Sequence, residues 1–566
     1  MKIILAQQNY HIGNFESNTN KIIDAIKFAK IKSADLIVFS EMSVCGYPAR
    51  DFMDFNDFVN KCYESIDIIK EHADTIGVIV GGPDRNPVRE GKDLFNAAFL
   101  LYEKEIRGIA HKTCLPNYDV FDEYRYFEPA FNWNVIEFKG KKIALTVCED
   151  IWNLGDNPLY RICPMDILMK QRPDFMINIS ASPFDYTHVE DRKAIIKANV
   201  LKYKLPLIYC NAIGSQTEIV FDGASLVFDK DANLCSQLPQ FKEEIFEIVL
   251  NDDGTIDKPV KEPAITIPSE PEPLHFTPDL NISQVYEAIV LGVSDYFKKM
   301  GFTKAIIGSS GGIDSAVTLA LACKALGSEN VRAILMPSEF STGHSVSDAE
   351  QLSKNVGNPY DIIPIKKIYN EFLNELKPVF KDSPFSLAEE NIQSRIRGNL
   401  LMAIANKFGY ILLNTSNKSE LATGYGTLYG DMAGGLSVLG DCYKLQVYEL
   451  AKYINSKKET IPCSMPVIPA NIISKEPSAE LRPDQKDSDS LPPYEILDKI
   501  LYQYIEKVKG PNEIKAQQYD PVMVDRILRM VNINEYKRNQ FCPVIRISPK
   551  AFGVGRRVPI VANYLS

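Results

Sequence analysis

The stretch IIGSSGGIDSAVTLALA, residues 306–322, predicts a short apolar strand, a glycine-rich turn and an amphipathic helix in direct succession. A turn of small residues presents successive backbone N–H groups to anionic oxygens, and the N-terminus of the following helix adds its positive end. The sequence therefore predicts an α/β domain with a phosphate-binding loop. The residues that we expect to form this loop are Gly308, Ser309, Ser310, Gly311, Gly312, Ile313, Asp314 and Ser315.

The spacing in this loop excludes two common kinds of phosphate site. A Walker A loop needs G-x-x-x-x-G-K-[ST], but Ile313 stands where the second glycine belongs and no lysine follows. The glycines at 308, 311 and 312 do not fit G-x-G-x-x-G either. Without a lysine, the loop is better suited to holding a leaving pyrophosphate than to transferring a γ-phosphoryl group. Asp314 taken alone is explained by helix capping, but beside phosphates it needs an intervening Mg²⁺ ion.

Composition limits the class of protein. A chain of 566 residues is expected to form two or three domains. Its net charge of −10 argues against nucleic-acid binding, which needs basic patches. No apolar run reaches the ~18 residues of a membrane helix, and the N-terminus lacks the long apolar region of a signal peptide. The eleven cysteines form no C-x-x-C pair, which is typical of a reducing compartment. These features predict a cytoplasmic, multidomain enzyme that binds neither membranes nor nucleic acids.

One segment is predicted to join two domains. Residues 257–281, DKPVKEPAITIPSEPEPLHFTPDLN, are rich in proline and glutamate and show no sustained helix or strand periodicity. Apolar strands alternate with helical patterns on both sides of this segment, which is typical of sheets covered by helices. We therefore predict an α/β domain over residues 1–256, a linker over 257–281 and a second α/β domain over 282–566.

Three strand ends in the first domain carry chemically complementary side chains. Cys148 ends the strand IALTV, Glu41 follows DLIVF, and Lys112 follows a third strand. A lone cysteine is more often a packed core residue, and a lone glutamate or lysine is more often solvated. Together they supply a nucleophile, a base and a cation, as acyl transfer from an amide requires.

These segments, in this order, resemble the nitrilase superfamily of amidases over roughly residues 1–250. The resemblance implies a four-layer α-β-β-α sandwich in which Glu41 accepts the proton, Lys112 supports the oxyanion and Cys148 is the nucleophile. It also suggests that Glu123 orients the lysine. The stretches LPNYDVFDEYRYF and ISASPF are similar to the glutamine-binding branch, which implies glutamine contacts at Tyr118, Ser182 and His188. Relatives commonly have another basic residue at the position of His188.

The S-G-G-x-D-S loop resembles that of ATP-dependent adenylating enzymes such as the NAD, GMP and asparagine synthetases. Residues 414–444 resemble the NAD synthetase segment, and the implied domain is a doubly wound parallel-sheet α/β fold. The resemblance implies that Thr415 contacts ATP and that Glu420 joins Asp314 around Mg²⁺. Further contacts to deamido-NAD are implied at Asn391, Glu420, Asp431, Lys444 and Lys537, with Arg395 and Arg397 as additional candidates. Residues 477–494 are polar, and in the family the matching loop folds over the adenylate.

Taken together, the chain resembles the family of glutamine-dependent NAD synthetases. The first domain would release ammonia from glutamine, and the second would use ammonia to displace AMP from adenylated deamido-NAD. The resemblance also implies a homo-oligomer. Three alternatives stay open at this point: a different adenylated substrate, an amidase fused to a nucleotide-sensing module, and a non-catalytic scaffold.

Overall fold

The computed structural model describes residues 1–154, 158–257, 280–457, 466–483 and 485–565. The chain forms two compact units, Met1–Ser269 and Glu270–Ser566. Nearly all of the predicted linker, residues 257–281, lies outside the described residues. Within the described residues, no helix is both long and apolar enough to span a bilayer.

The first unit consists mainly of strands. These are β1 (Lys2–Gln7), β2 (Leu36–Phe39), β3 (Gly77–Arg85), β4 (Leu94–Tyr102), β5 (Glu105–His111), β6 (Ile136–Phe138), β7 (Lys141–Val147), β8 (Phe175–Ser180), β9 (Leu207–Asn211), β10 (Ile213–Gln216), β11 (Ile219–Asp222), β12 (Leu226–Phe228), β13 (Leu234–Gln237), β14 (Glu244–Leu250) and β15 (Ile256–Asp257). Its helices are α1 (Phe15–Ile31), α2 (Asn56–Glu71), α3 (Glu123–Tyr126), α4 (Pro164–Leu168) and α5 (His188–Tyr203).

Two large sheets form the interior of the first unit. One has the order β15-β14-β1-β2-β3-β4-β5 and the other the order β13-β12-β9-β8-β7-β6. Ile3 and Leu5 of β1 pack between the two sheets, whereas Ile4 and Ala6 face helices α1 and α2. This alternation follows from the period of two along a strand. Helices α4 and α5 cover the other sheet, so the unit is the predicted four-layer α-β-β-α sandwich.

The second unit combines a small sheet with many helices. Its strands are β16 (Ala305–Gly308), β17 (Val331–Leu335), β18 (Tyr360–Ile362), β19 (Ile411–Asn414) and β20 (Leu436–Ser437). Its helices are α6 (Ile282–Met300), α7 (Ile313–Leu326), α8 (Gly343–Val356), α9 (Lys366–Phe380), α10 (Leu387–Phe408), α11 (Lys418–Thr423), α12 (Lys444–Ser456), α13 (Ala470–Ser474), α14 (Tyr494–Ile505), α15 (Pro511–Lys515), α16 (Pro521–Ile533) and α17 (Glu535–Arg538).

The order of the second unit's sheet determines where a ligand can bind. The strands are arranged β18-β17-β16-β19-β20, and every neighbouring pair is parallel. After β16, the strands β17 and β18 are added on one side of it, and β19 and β20 are then added on the other side. The strand order therefore reverses between β16 and β19. Ligands of such sheets bind beyond the carboxyl ends of the strands at this switch point. The glycine-rich loop follows β16 and Thr415 follows β19, which places both at the expected edge.

Two candidate active sites

The first site is built on a turn that holds Cys148 in an unusual conformation. Strand β7 ends at Val147, and Cys148 begins a 3-10 turn with a φ of 45°. A residue other than glycine occupies this left-handed region only when its surroundings enforce it. Asp150 supplies that enforcement, since its carboxylate accepts hydrogen bonds from the backbone N–H groups of Thr113 at 2.8 Å, Cys114 at 2.9 Å and Val147 at 3.1 Å. The same carboxylate therefore ties the segment after Lys112 to the cysteine turn.

Lys112 lies between two buried carboxylates. Its Nζ donates to Glu41 Oε1 at 2.8 Å and to Glu123 Oε1 at 2.7 Å, and its side chain is fully buried. Burial alone would lower the pKa of Lys112, but the charges of Glu123 and Glu41 outweigh burial and raise the pKa well above its usual value. The ammonium is therefore held in its charged form, as an oxyanion-stabilising group requires.

The thiol of Cys148 needs a base. Burial, reinforced by the charge of Glu41, raises the pKa of the Cys148 thiol well above its usual value. The resting side chain is thus a thiol, and attack on a carbonyl requires that a neighbouring group accept its proton. Glu41 is the candidate for this task, because its charge acts on the thiol more strongly than any other. Its Oε2 accepts a hydrogen bond from the backbone N–H of Ala181 at 2.8 Å and its Oε1 contacts Lys112, which fixes the carboxylate in place.

The three residues with predicted glutamine contacts lie around this cluster. Tyr118 is partly exposed and donates its hydroxyl to Glu149 Oε1 at 2.9 Å. Ser182 Oγ lies 3.1 Å from His188 Nε2, and the His188 ring stacks on Trp152 with ring centroids 4.6 Å apart. Glu149, which the sequence reasoning missed, follows Cys148 directly. Burial raises its pKa.

Sequence reasoning also missed two further buried polar groups, Asn96 and Asp150. Asn96 is fully buried in β4 and donates to Glu41 Oε1 at 2.6 Å. Its signal in the sequence is a single amide within the otherwise apolar stretch LFNAAFLLY. Asp150 lies two residues after Cys148, and burial raises its pKa to about 6.

The second site begins with the phosphate-binding loop, which has the predicted strand–turn–helix form. Gly311 has a φ of +78°, and a Cβ at this position would lie 2.2 Å from the backbone oxygen of Ser345. Only glycine fits both conditions. Ser315 Oγ accepts from the Ser310 N–H at 3.3 Å and donates to the Gly312 oxygen at 3.0 Å, so the turn is held from within.

This loop forms one wall of a cavity at the switch point of the sheet. The other predicted site residues on the cavity wall are Thr415, Glu420, Asp431 and Lys444, together with Arg397. Arg397 donates its Nε to the Met336 oxygen at 3.0 Å, and burial lowers its pKa. A partly buried cation at the wall of this cavity favours anionic ligands.

Lys444 connects the two predicted metal ligands. Its Nζ lies 2.6 Å from Asp314 Oδ2 and 3.7 Å from Glu420 Oε1. Asn417 joins the same two residues, since its side chain donates to Asp314 at 2.9 Å and accepts from the Glu420 backbone N–H at 3.0 Å. Burial and the neighbouring charge of Asp314 raise the pKa of Glu420 well above its usual value. Within the described residues, no cluster of three or more side chains with metal-binding groups is found.

Three of the predicted deamido-NAD residues contact the segment between Glu420 and Asp431 and do not line the cavity itself. Asn391 accepts from Thr427 Oγ1 at 2.7 Å, and Arg395 donates to the Leu428 oxygen at 3.2 Å. Lys537 donates to the backbone oxygens of Gly424 at 2.8 Å and Gly426 at 2.9 Å. All three therefore contact the segment between Glu420 and Asp431.

Part of the polar segment 477–494 lines the cavity, namely residues 477–481 and Asp487. Glu480 accepts from Ser345 Oγ and Lys475 Nζ, both at 2.6 Å, and Gln393 donates to the Leu481 oxygen at 2.9 Å. Asp487 accepts from Tyr494 at 2.9 Å. Composition alone favours disorder for such a segment, but the contacts of Glu480 with Ser345 and of Leu481 with Gln393 join it to distant parts of the chain.

Comparison with known proteins matches both units. The carbon-nitrogen hydrolase family model matches residues 2–252, and the NAD synthase model matches residues 285–541. A glutamine-dependent NAD(+) synthetase of Synechocystis sp. is 41% identical over 569 residues, which cover 99% of this chain and 99% of that relative. A glutamine-dependent NAD(+) synthetase of Acinetobacter baylyi is 39% identical, and the aligned region covers 100% of this chain and 98% of that relative.

A solved structure gives a similar result. The glutamine-dependent NAD+ synthetase from Acinetobacter baumannii, in complex with adenosine diphosphate, superposes with a TM-score of 0.76 at 37% identity. The superposition covers 99% of this chain and 98% of that chain. The similarity thus extends over both units and their order in the chain.

Proposed function

The chain belongs to the family of glutamine-dependent NAD(+) synthetases, and on this premise we propose how its two sites divide the reaction. The overall conversion is deamido-NAD, ATP, glutamine and water to NAD, AMP, diphosphate and glutamate. The first unit hydrolyses glutamine, and the second unit uses the ammonia. The observation that carries this division is the buried Glu41–Lys112–Glu123 cluster beside Cys148 in a unit separate from the phosphate loop.

In the first unit, Glu41 takes the thiol proton of Cys148 and the sulfur attacks the carboxamide carbon of glutamine. The ammonium of Lys112 stabilises the negative charge that develops on the carbonyl oxygen. The C–N bond breaks as Glu41 returns the proton to the leaving nitrogen, which departs as ammonia and leaves a thioester. A water molecule then attacks the thioester, Glu41 again accepts the proton, and glutamate leaves as the thiol reforms.

The polar residues around Cys148 divide into two groups that fit the two ends of an amino acid. Ser182 and His188 present a hydroxyl and an imidazole, which suit the α-carboxylate. Tyr118 contacts the edge of the site on the side of Glu149. The stacking of His188 on Trp152 fixes the plane of the imidazole.

In the second unit, the loop Gly308–Ser315 and Thr415 bind ATP, and a carboxylate oxygen of deamido-NAD attacks the α-phosphorus. The P–O bond to pyrophosphate breaks, and the loop N–H groups hold the leaving pyrophosphate. Ammonia then attacks the activated carboxyl carbon, AMP leaves, and the amide of NAD remains. Asp431 and Lys444 contact the reacting ends of the two nucleotides, with Asn391, Glu420 and Lys537 on the deamido-NAD side.

Asp314 and Glu420 are the residues that would hold Mg²⁺. Mg²⁺ is commonly bound by one or two carboxylates together with substrate phosphates rather than by a cage of protein ligands. Two carboxylates that share Lys444 at the wall of a phosphate cavity fit this donor set. The ion would neutralise charge on the phosphates when it is bound.

We also propose a cytoplasmic homo-oligomer. The cysteines that the structure describes are free, as is usual in a reducing compartment. Helix α9, the connection after it and the start of α10 expose large apolar side chains, among them Phe372, Val379, Phe385 and Leu387. A second copy of the chain would bury them. Light scattering that gives the mass of a single chain would contradict the oligomer.

The decisive test is NAD formation from deamido-NAD and Mg-ATP, with glutamine or ammonium as nitrogen donor, by wild type and Cys148→Ala. Wild type should use both donors, and the variant should use ammonium alone. Cys210→Ala, which also removes a buried thiol from the first unit, should use both. Equal loss with both donors in Cys148→Ala would show a structural role for this cysteine. Absence of NAD with either donor in wild type would mean that another substrate is adenylated.

A further inference from the structure

Two carboxylates compete for one cation in the first site. Lys112 Nζ lies 2.8 Å from Glu41 and 2.7 Å from Glu123, so the ammonium itself does not distinguish the two. Both carboxylates are nearly inaccessible to solvent, with side chains 1% and 4% exposed. Two buried carboxylates beside a single cation do not both ionise readily, and the proton then resides on the one with weaker partners. Some other group must make Glu41 the ionised partner.

Asn96 does distinguish the two carboxylates. Its Nδ2 lies 2.6 Å from Glu41 Oε1 but 3.4 Å from Glu123 Oε2. The side chain is fully buried, and its Oδ1 has no hydrogen-bond partner within the part of the chain that the structure describes. An unpartnered buried acceptor costs stability, so the orientation of this amide is set by its donor side, which points toward Glu41.

The other hydrogen-bond donors also favour ionisation of Glu41 over Glu123. The Ala181 N–H donates to Glu41 Oε2 at 2.8 Å, which gives Glu41 three donors including Lys112. Glu123 has Lys112 and the Tyr47 hydroxyl, at 2.8 Å, as its close donors. Hydrogen bonds to a carboxylate favour its ionised form, and charge-assisted bonds are the stronger ones. We infer that Asn96 is a positioning residue that selects Glu41 over Glu123 as the ionised base of glutamine hydrolysis.

This inference rests on the proposed glutaminase function, and the protonation of Glu123 agrees with it. Burial raises the pKa of Glu123 to about 7, against the lowering effect of Lys112. The titratable or charged groups that face the pair are Lys112, Tyr47, Cys148 and Glu149. Of these groups, only Lys112 carries a positive charge, and it contacts both carboxylates equally. Loss of the Asn96 donor should therefore let the shared proton move toward Glu41.

The test compares the pH profiles of three variants in the full-length protein. Asn96→Ala and Asn96→Leu both remove the donor, but the alanine leaves a cavity and the leucine keeps the branched shape of the side chain. Asn199→Ala is the matched control, because Asn199 is also buried in the first unit with an unpartnered Oδ1 but donates to backbone oxygens instead of a carboxylate. Glutamate release from glutamine is measured with saturating deamido-NAD and Mg-ATP, and the thermal unfolding of each full-length variant reports whether the protein is folded.

Both Asn96 variants should lower glutaminase kcat about tenfold or more and move the acid limb of kcat/KM upward by about one pH unit. The shift should be similar in the two variants, although their melting temperatures differ, and Asn199→Ala should leave the limb in place. If one Asn96 variant does not fold, the other gives the same readout. An acid limb that moves no further than in Asn199→Ala overturns the role of Asn96 alone. Wild type that fails to hydrolyse glutamine overturns the proposed function and this inference with it.

Discussion

Each candidate site contains a lysine ammonium between two carboxylates, but these two clusters differ in their access to solvent. In the first unit, Lys112 is fully buried and its partners Glu41 and Glu123 are 1% and 4% exposed. In the second unit, Lys444 is 3% exposed, but Asp314 and Glu420 are 16% and 18% exposed at the wall of a cavity. The first cluster is closed around protein groups, and the second is open toward ligands.

This difference corresponds to two ways of stabilising charge. In the closed cluster, every charge has a fixed protein partner, and the proposed reaction moves a proton between side chains in a medium of low polarity. In the open cluster, the carboxylates line a cavity that the proposed function assigns to nucleotide phosphates, so the charge balance there would depend on the substrate. Variants of the two clusters should therefore respond differently to the nitrogen donor.

The largest effect is expected from Asp314→Ala and Glu420→Ala. Removal of either carboxylate from the phosphate cavity should lower NAD synthesis about 10³-fold with glutamine and with ammonium alike, because both donors need the adenylate. AMP release is the measurement. Asp361→Ala, which removes a partly exposed aspartate paired with Arg332, should keep normal turnover. Near-normal AMP release by either cavity variant at low Mg²⁺ would contradict the metal assignment.

A smaller and donor-specific effect is expected from Lys112→Met. Glutamine-supported synthesis should fall about 10²- to 10³-fold, because the oxyanion loses its cation, while ammonium-supported synthesis persists. The variant should also be less stable by about 3–5 kcal/mol, since breaking a buried ion pair leaves uncompensated charge.

Lys444→Met is the matching variant in the open cluster. It should lower NAD synthesis with glutamine and with ammonium to the same extent. The comparison fails if Lys112→Met reduces the two activities to the same extent while its thermal unfolding shows a folded protein at the assay temperature. It also fails if Lys444→Met affects only one donor.

The smallest effect is expected in the pH dependence of stability. Burial raises the pKa of Glu123 from 4.5 to about 7. Between these values the folded protein holds a proton that the unfolded chain has lost, so stability falls as the pH rises through this window. Glu123→Gln removes this contribution. The melting temperature of wild type relative to Glu123→Gln should therefore decline from about pH 4.5 to pH 7 and then level off, and a constant difference would contradict the shifted pKa.

Much of the fold was predictable because its signals are local. Strands such as β2 and β8 appear as short apolar runs, and the turn between β16 and α7 is defined by small residues with the helix beginning at Ile313. Residues that come just after strands, such as Glu41 and Lys112, could be assigned to an edge of a sheet. The direction of the chain shows that they lie at the carboxyl end of their strand. The structure confirms both the sandwich and the parallel sheet.

The pairings within the sites were not predictable from such signals. Asn96 reads as a single polar residue in an apolar strand, and its partner Glu41 is 55 positions away. Segment 477–494 has the composition of a disordered loop, yet Glu480 contacts Ser345 across 135 positions. Contacts of this kind depend on how sheets and helices pack, which periodicity along the chain does not encode.

The sequence by itself determined the order of the elements, the phosphate-binding turn and the residue types that the two chemistries require, because periodicity and spacing act over a few residues. Tertiary structure alone decided which charges share a cation, which carboxylate Asn96 contacts and how Asp150 connects the lysine segment to the cysteine turn. The physical reason is burial. A polar group removed from water must find its partner wherever the fold brings one within hydrogen-bond distance.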